Sequence, residues 1–370
     1  MKVTYILGAG ASALSVPTLA TFNAGLRIFI DEIKAAKGKM HANTEVTEKR
    51  AFSLIQDDFI RDAEILYGEI AAHQNVDIYA RKLYLTHQED KLLRAKALVS
   101  AYLIFHQVTN KVDKRYDLFL STIFEKDNDP TKLKLPTDLL LLSWNYDFQL
   151  ELSASAFFSK NSLLENQELL NHHPRMEMVD LDREILNKFS IIKLNGTVSG
   201  FQPDEMTFRS LPVQFQMKDE KDNSPEQNWL NRLTEAVLNY FYLTDRKPAS
   251  TSSLLFSWET NTFIKKMKNY TLYKIYNSEI LVVVGYSFPT FNRKVDREFL
   301  LRLISLKEVY IQAPADDIQS ITDRFCALYG PEKIKQLGGT GKNPINVHQI
   351  VMKSEKLDDE FYIPIQATTF

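Results

Sequence analysis

The sequence predicts an α/β fold built on a doubly wound parallel sheet, with a large helical insertion. Three observations carry that prediction. At least four short apolar runs end in small or polar residues, at Gly8–Ser12, Asn145–Asp147, Asn195–Gly196 and Gly285–Ser287. The runs alternate with segments whose apolar residues recur every three to four positions, which is the helical period. Strands that are apolar throughout, separated by helices, are the pattern of a parallel sheet covered on both faces.

Each element follows from its residues. "KVTYIL" is apolar enough for a buried strand, and Gly8–Ser12 supplies the turn after it. "SVPTLATFNAGLRIFIDEIKAA" opens with a proline and becomes helical. Across 45–125 glycine and proline nearly vanish, and the apolar spacing predicts several helices. "DNDPTKLKLPTD" is a turn-rich break. "LLLLSWNYD" predicts a second buried strand, followed by a helix over 148–158, and "FSIIKLNGTVSG" a third strand. "KDEKDNSPEQN" reads as an exposed loop and "TNTFIKKMKNYTLYKIYN" as a helix. "SEILVVVGYSFP" is a strand and turn, "NRKVDREFLLRLIS" a helix and "KEVYIQAP" a further strand. The tail, 315–370, holds a helix and a last strand in "INVHQIVMK".

Composition bounds the function. The 370 residues are 44% hydrophobic and 25% charged, ample material for a core. A formal net charge of −2 gives no basic surplus of the kind that marks a nucleic-acid or anionic-membrane surface. Lys265, Lys266 and Lys268 read as a solvated helix face. A single cysteine, Cys326, leaves no disulfide framework or cysteine-based zinc site within the chain. No apolar stretch approaches the roughly 20 residues that span a bilayer. Gly8 and Gly10 interrupt the apolar start too early for a signal-peptide core. The expectation is a reduced, cytoplasmic protein.

Ligands of doubly wound sheets sit beyond the carboxyl ends of the strands, so the four polar run ends are expected to share one rim. In "GAGAS" the glycines permit close approach of a diphosphate, and the following helix offers free N–H groups. Ser12 adds a hydroxyl donor. As a dinucleotide fingerprint the motif is incomplete: Ala13 replaces the third glycine and no acid follows at a second strand end. A merely tight strand–helix turn is the alternative. Asn145 and Asp147 place an amide and a carboxylate two residues apart, though Asp147 serves equally well as a helix cap. "KLNG" and "VVVGYSFP" read either as polar strand ends or as plain turns.

The order of these motifs resembles the sirtuin-like family, in particular its bacterial members that hydrolyse NAD+ in antiphage defence. The resemblance spans four short motifs between residues 5 and 290. It implies a Rossmann-like sirtuin core of 1–44 and 126–314, a helical insertion at 45–125 and a C-terminal extension at 315–370. It implies that Gly8, Ala9, Gly10, Ala11 and Ser12 wrap the diphosphate and that Gly285 and Ser287 contact the adenosine side. Asn145 and Asp147 would lie beside the nicotinamide ribose, Asn195 takes the position of the family's catalytic histidine, and Gly196 after it would join the cofactor-binding set. NAD+ would be the substrate, cleaved to nicotinamide and ADP-ribose without a metal. Fixed polar groups do much of the work in such an oxocarbenium-like step. The family also implies homo-oligomers, some joined by a HerA-type DNA-translocating ATPase.

Departures matter as much. The family's deacylases carry a four-cysteine zinc module that this chain lacks, and Thr18 and Leu19 stand where they continue with Asp and Phe. Asn195 stands where the family has histidine; an amide can bond a ribose hydroxyl but cannot accept a proton. Loss of a general base costs about 10²–10⁴ in rate. Two hypotheses follow: a slow or conditional NAD+ hydrolase, or a catalytically inactive NAD+/ADP-ribose-binding subunit. His172 and His173 read as solvated loop histidines and weak substitutes. A Rossmann-type oxidoreductase fits the strand pattern but lacks a ribose-binding acid. An assembly subunit would use 45–125 and the tail "DDEFYIPIQATTF" as interfaces. Nuclease chemistry lacks a carboxylate cluster, since Asp57, Asp58, Asp316 and Asp317 read as exposed helix-end acids.

Overall fold

The computed structural model describes residues 1–41, 51–129, 132–158, 163–173, 188–201, 224–244, 251–256, 258–259, 262–339, 344–352 and 360–368. The chain divides into a sheet unit, formed by Met1–Leu14, Val112–Gly196 and Leu255–Phe370, and a helical unit, formed by Ser15–Lys111 and Thr197–Leu254.

Among the described residues the main sheet of the sheet unit has seven strands: β1 Val3–Leu7, β2 Leu139–Ser143, β3 His172–His173, β4 Ser190–Lys193, β5 Ile280–Val284, β6 Glu308–Pro314 and β7 Asn346–Met352. Their order is β7-β6-β5-β1-β2-β4-β3, and every neighbouring pair is parallel. Successive strand residues point to opposite faces. Val3, Tyr5, Leu7, Leu139, Leu141, Val282 and Val284 enter one core, while Ile6, Leu140, Leu142, Leu281 and Val283 enter another. Because both faces are covered, the central strands β1, β2 and β5 are apolar at nearly every position.

Among the described residues the α-helices are α1 Phe22–Ala36, α2 Phe52–His73, α3 Val76–Leu85, α4 Glu89–Thr109, α5 Lys114–Ile123, α6 Gln149–Phe158, α7 Leu163–Leu169, α8 Pro225–Thr244, α9 Thr262–Ile275, α10 Arg293–Arg302 and α11 Ala315–Tyr329. One face of the sheet is covered by α5 and α6 through Tyr116, Phe119, Leu120, Leu150 and Ala154. The other is covered by α9, α10 and α11 through Met267, Phe299 and Phe325.

In the helical unit α4 is the central element. Every residue from Ala95 to Phe105 is buried, so this helix has no solvent face over three turns. Around it Phe29 meets Phe59 and Phe105 with ring centroids 5.8 and 4.8 Å apart, and Phe105 meets Trp229 at 5.1 Å. A polar contact fixes α8 on α2: the Tyr240 hydroxyl donates to Asp62 at 2.5 Å, and Arg94 pairs with the same carboxylate.

Three expectations change. The helical unit begins near Ser15, ends near Lys111 and recruits 197–254, so α1 leaves the expected core and α5 joins it. The physical reason is packing: α1 lies on α2, and α8 lies along α4. The tail is an integral part of the sheet unit, adding α11 and β7, with Phe361 and Ala367 buried in its core. Of "KDEKDNSPEQN", 218–223 lie outside the described residues, and "PEQN" is already the first turn of α8, with proline at a helix start.

Candidate functional site

The chain leaves β1 for β2, then β3 at the sheet edge and β4 between them on one side, and returns to β5, β6 and β7 on the other. The order reverses between β1 and β5, and the crevice there is where ligands of open α/β sheets bind. The four motifs stand at the carboxyl ends of the adjacent strands β5, β1, β2 and β4. The spatial convergence expected from the sequence is present.

At the β1–β5 half the glycines serve each other. A Cβ at Gly8 would lie 2.5 Å from Gly285 O, one at Gly10 2.8 Å from Gly285 Cα, and one at Gly285 2.4 Å from Ala11 N. Gly285 also has φ +60°, a conformation that disfavours side chains. Main-chain N–H groups are engaged too: Gly8 donates to Val284 O at 3.0 Å, Gly10 to Gly285 O at 3.0 Å and Ala11 to Gly8 O at 2.8 Å. The two bare turns therefore pack on one another, and three of the five donors expected to wrap a diphosphate are already used. The half-buried surface of this corner comprises Ala9, Gly10, Gly285 and Ser287.

Ser12 is fully buried and links the corners. Its Oγ lies 2.9 Å from the Tyr116 hydroxyl and accepts from Asn145 Nδ2 at 3.2 Å. Asn145 Nδ2 also donates to Gly8 O at 2.9 Å, which leaves Oδ1 as the amide's remaining polar atom. Beneath the turn, the buried Arg115 guanidinium donates to Gly10 O at 3.1 Å and Ala11 O at 3.2 Å while paired with Asp113 at 2.6 Å. A buried ion pair costs desolvation unless its remaining donors find partners; the two carbonyls satisfy Nη2, while Nη1 is buried with no hydrogen-bond partner among the described residues. Phe361 of the tail lies under the guanidinium at 5.3 Å.

Asp147 accepts from Gln149 N at 3.1 Å, the helix-capping role given as its alternative. Burial raises its carboxyl pKa, opposed by Lys193 and the Gln149 N–H. Lys193, at the end of β4 and 2% exposed, donates to the Asp147 carbonyl at 2.6 Å. It also pairs with Glu151 of α6 at 3.4 Å, and Glu151 pairs with His172 Nε2 at 2.8 Å. Burial alone would raise the Glu151 pKa, but Lys193 and His172 outweigh it and hold the carboxyl below its ordinary range. The histidines are thus not solvated: both are buried in β3, His172 against Glu151 and His173 against the Tyr270 ring at 4.6 Å. A two-residue edge strand of histidines has no apolar pattern, which is why it read as loop.

Asn195 is buried beyond the end of β4, donates to Trp144 O at 3.2 Å, and accepts from Leu255 N at 2.8 Å through its carbonyl. Gly196 follows with φ +67°. Tyr286, between Gly285 and Ser287, stacks on Trp144 at 5.4 Å and donates to both Asp296 oxygens at 2.9 Å. Burial pushes the Asp296 carboxyl up to about 8, against the opposing hydrogen bond from Tyr286. Phe288, buried with φ +49°, is a strained position just beyond Ser287.

Arg115, Asp113, Tyr116, Lys193, Glu151, Tyr286 and Asp296 were not singled out as site residues from the sequence. Only Lys193 and Tyr286, inside quoted motifs, carried a local signal. Among the described residues no group of three metal-ligating side chains comes together, and no helix is long and apolar enough to cross a membrane. No family model matches the chain and no curated protein matches it.

Proposed function

We propose that the chain is a sirtuin-like NAD+ hydrolase, cleaving NAD+ to nicotinamide and ADP-ribose as an effector of bacterial antiphage defence. The observation that carries this reading is the convergence of the four motifs on one rim at the β1–β5 switch point. In this reading the diphosphate lies over Ala9 and Gly10 beside the Ala9–Ser12 turn, and the adenosine lies toward Gly285 and Ser287. Asn145 presents its amide oxygen to the ribose or the attacking water, while Ser12 and Asp147 hold the loops. A cytoplasmic homo-oligomer, with a HerA-type ATPase as associated partner, belongs to the same reading.

A second reading, an NAD+- or ADP-ribose-binding subunit without turnover, is favoured by one observation. Asn195 cannot take a proton, and His172 is engaged by Glu151 and buried, so it does not stand in as a base. Nicotinamide release from NAD+ by the purified protein separates the two. The hydrolase reading expects release by the wild type, loss in Asn145→Ala and acceleration of roughly 10²-fold or more in Asn195→His. No release from either wild type or Asn195→His, with thermal stabilisation by ADP-ribose, would establish the binding subunit instead.

A further inference from the structure

We propose that Tyr146, Phe256 and Trp258 form an aromatic wall on which the cationic nicotinamide ring stacks, a deepening that rests on the NAD+ reading above. The wall begins at the proposed cleavage residues. Leu255 N is tied to Asn195 O at 2.8 Å, which fixes the segment to the end of β4. The Phe256 ring then meets Tyr146, the residue between Asn145 and Asp147, edge to face at 6.1 Å and 84°. Trp258 stacks on Phe256 with centroids 4.7 Å apart and planes 6° from parallel.

Burial grades along this stack. Phe256 is 2% exposed, whereas Tyr146 and Trp258 are half-buried. The other aromatic stack at the rim, Trp144 on Tyr286, has both rings buried and offers no face to a ligand. The chemistry of the wall favours a cation. Aromatic faces carry negative quadrupole charge. Glu259, next to Trp258, accepts from Phe256 N at 2.8 Å and donates its own N–H to Phe256 O at 2.9 Å, so a carboxylate is pinned beside the stack.

The pyridinium of NAD+ is a planar cation; the dihydropyridine of NADH and free nicotinamide are neutral. On cleavage the glycosidic electron pair passes to the ring nitrogen, water adds to the ribose carbon, and one proton leaves to solvent. The ring loses its charge in that step, and with it the attraction to the wall, so the wall holds substrate and releases product.

The test uses the full chain and 1-methylnicotinamide, a cation without a bond to hydrolyse, with binding followed by calorimetry. Wild type is expected to bind it saturably and to bind neutral nicotinamide at least tenfold more weakly. Trp258→Leu, which keeps apolar volume and loses the π face, should weaken binding about 5- to 30-fold, while Trp258→Phe stays within about threefold. With NAD+ the Trp258→Leu change should raise KM by a similar factor and leave kcat within about threefold. Unchanged affinity for 1-methylnicotinamide in Trp258→Leu, or equal binding of the neutral ring, overturns the wall. The two ideas fail separately. Binding of the cation without nicotinamide release from NAD+ removes the hydrolase alone, whereas turnover with unchanged KM in Trp258→Leu removes the wall alone.

Discussion

The two halves of the rim are held by different forces. At the β1–β5 half the motif residues touch one another: Gly8, Gly10 and Gly285 pack main chain on main chain, braced by Arg115. At the β2–β4 half the motif residues are held by a chain of buried charge, Asp147 O to Lys193 to Glu151 to His172. The first half tolerates no added atom. The second tolerates no missing charge. The contrast teaches that two strand ends with similar-looking sequence are fixed by opposite requirements, and it can be broken by substitution.

The largest effect is expected from Glu151→Gln, which leaves the Lys193 ammonium and His172 in the core without their anion. Breaking a buried pair by removing one partner costs about 3–5 kcal/mol. Urea unfolding should show that loss as a lower midpoint with an unchanged slope. Replacing both charges, Glu151→Leu with Lys193→Met, should recover at least half of it, since apolar groups of similar volume replace such pairs at little cost. The Glu151 carboxyl is depressed in the folded state, so its contribution is present above the ordinary carboxylate range and disappears only as pH falls through the depressed value. The carboxyl itself therefore adds no pH dependence to the deficit of Glu151→Gln above about pH 5. A loss under 1 kcal/mol would mean the charges do not hold this half.

Next comes Gly8→Ala. Its methyl would meet the Gly285 carbonyl at 2.5 Å, and main chain cannot rotate away. Overpacking of this kind costs about 1–3 kcal/mol. The control is Gly68→Ala in α2, where a Cβ meets nothing within 4 Å; there the change should stabilise by about 0.5–1 kcal/mol through helix propensity. Equal behaviour of the two alanines would show that the turns can separate.

What the sequence disclosed follows the same division. The apolar runs and the glycine turns were legible because strand burial and close backbone approach act on adjacent residues. The charged supports were not, because their reason lies across the fold. Glu151 sits in the first turn of α6, where an acid ordinarily faces solvent, and only Lys193 and His172 explain its burial. Arg115, in "KVDKRYD", looks like a surface cation until the Gly10 and Ala11 carbonyls stand above it. The edges of the helical unit were missed since no change of composition marks Ser15 or Lys111. The segment "LLFSW" drew no reading from the sequence, because what ties it to the site is the Leu255 N–H on the distant Asn195 carbonyl.

The smallest effect per unit of change is a pH slope, and it sharpens the comparison because it sets a second buried carboxyl against Glu151. Asp296 is held by hydrogen bonds: Tyr286 donates to both its oxygens, and Asn292 Nδ2 donates to the Tyr286 hydroxyl at 3.2 Å. Its folded carboxyl titrates at about 8, above the unfolded value near 3.9. Between those values the folded chain keeps a proton that the unfolded chain has released, so stability falls as pH rises, by up to about 1.4 kcal/mol per pH unit. The depressed Glu151 carboxyl adds no slope above the ordinary carboxylate range, whereas Asp147, raised by burial, adds a decline of the same sign at the β2 end; the share that belongs to the β5 half is the part Asp296→Asn removes. Melting wild type and Asp296→Asn at pH 5.5 and 7.5 tests this: the amide has no proton to lose, and its curve should be flatter. Parallel slopes in the two proteins would locate the titrating group elsewhere and leave the Tyr286–Asp296 bond as a pH-independent brace behind the Trp144 stack.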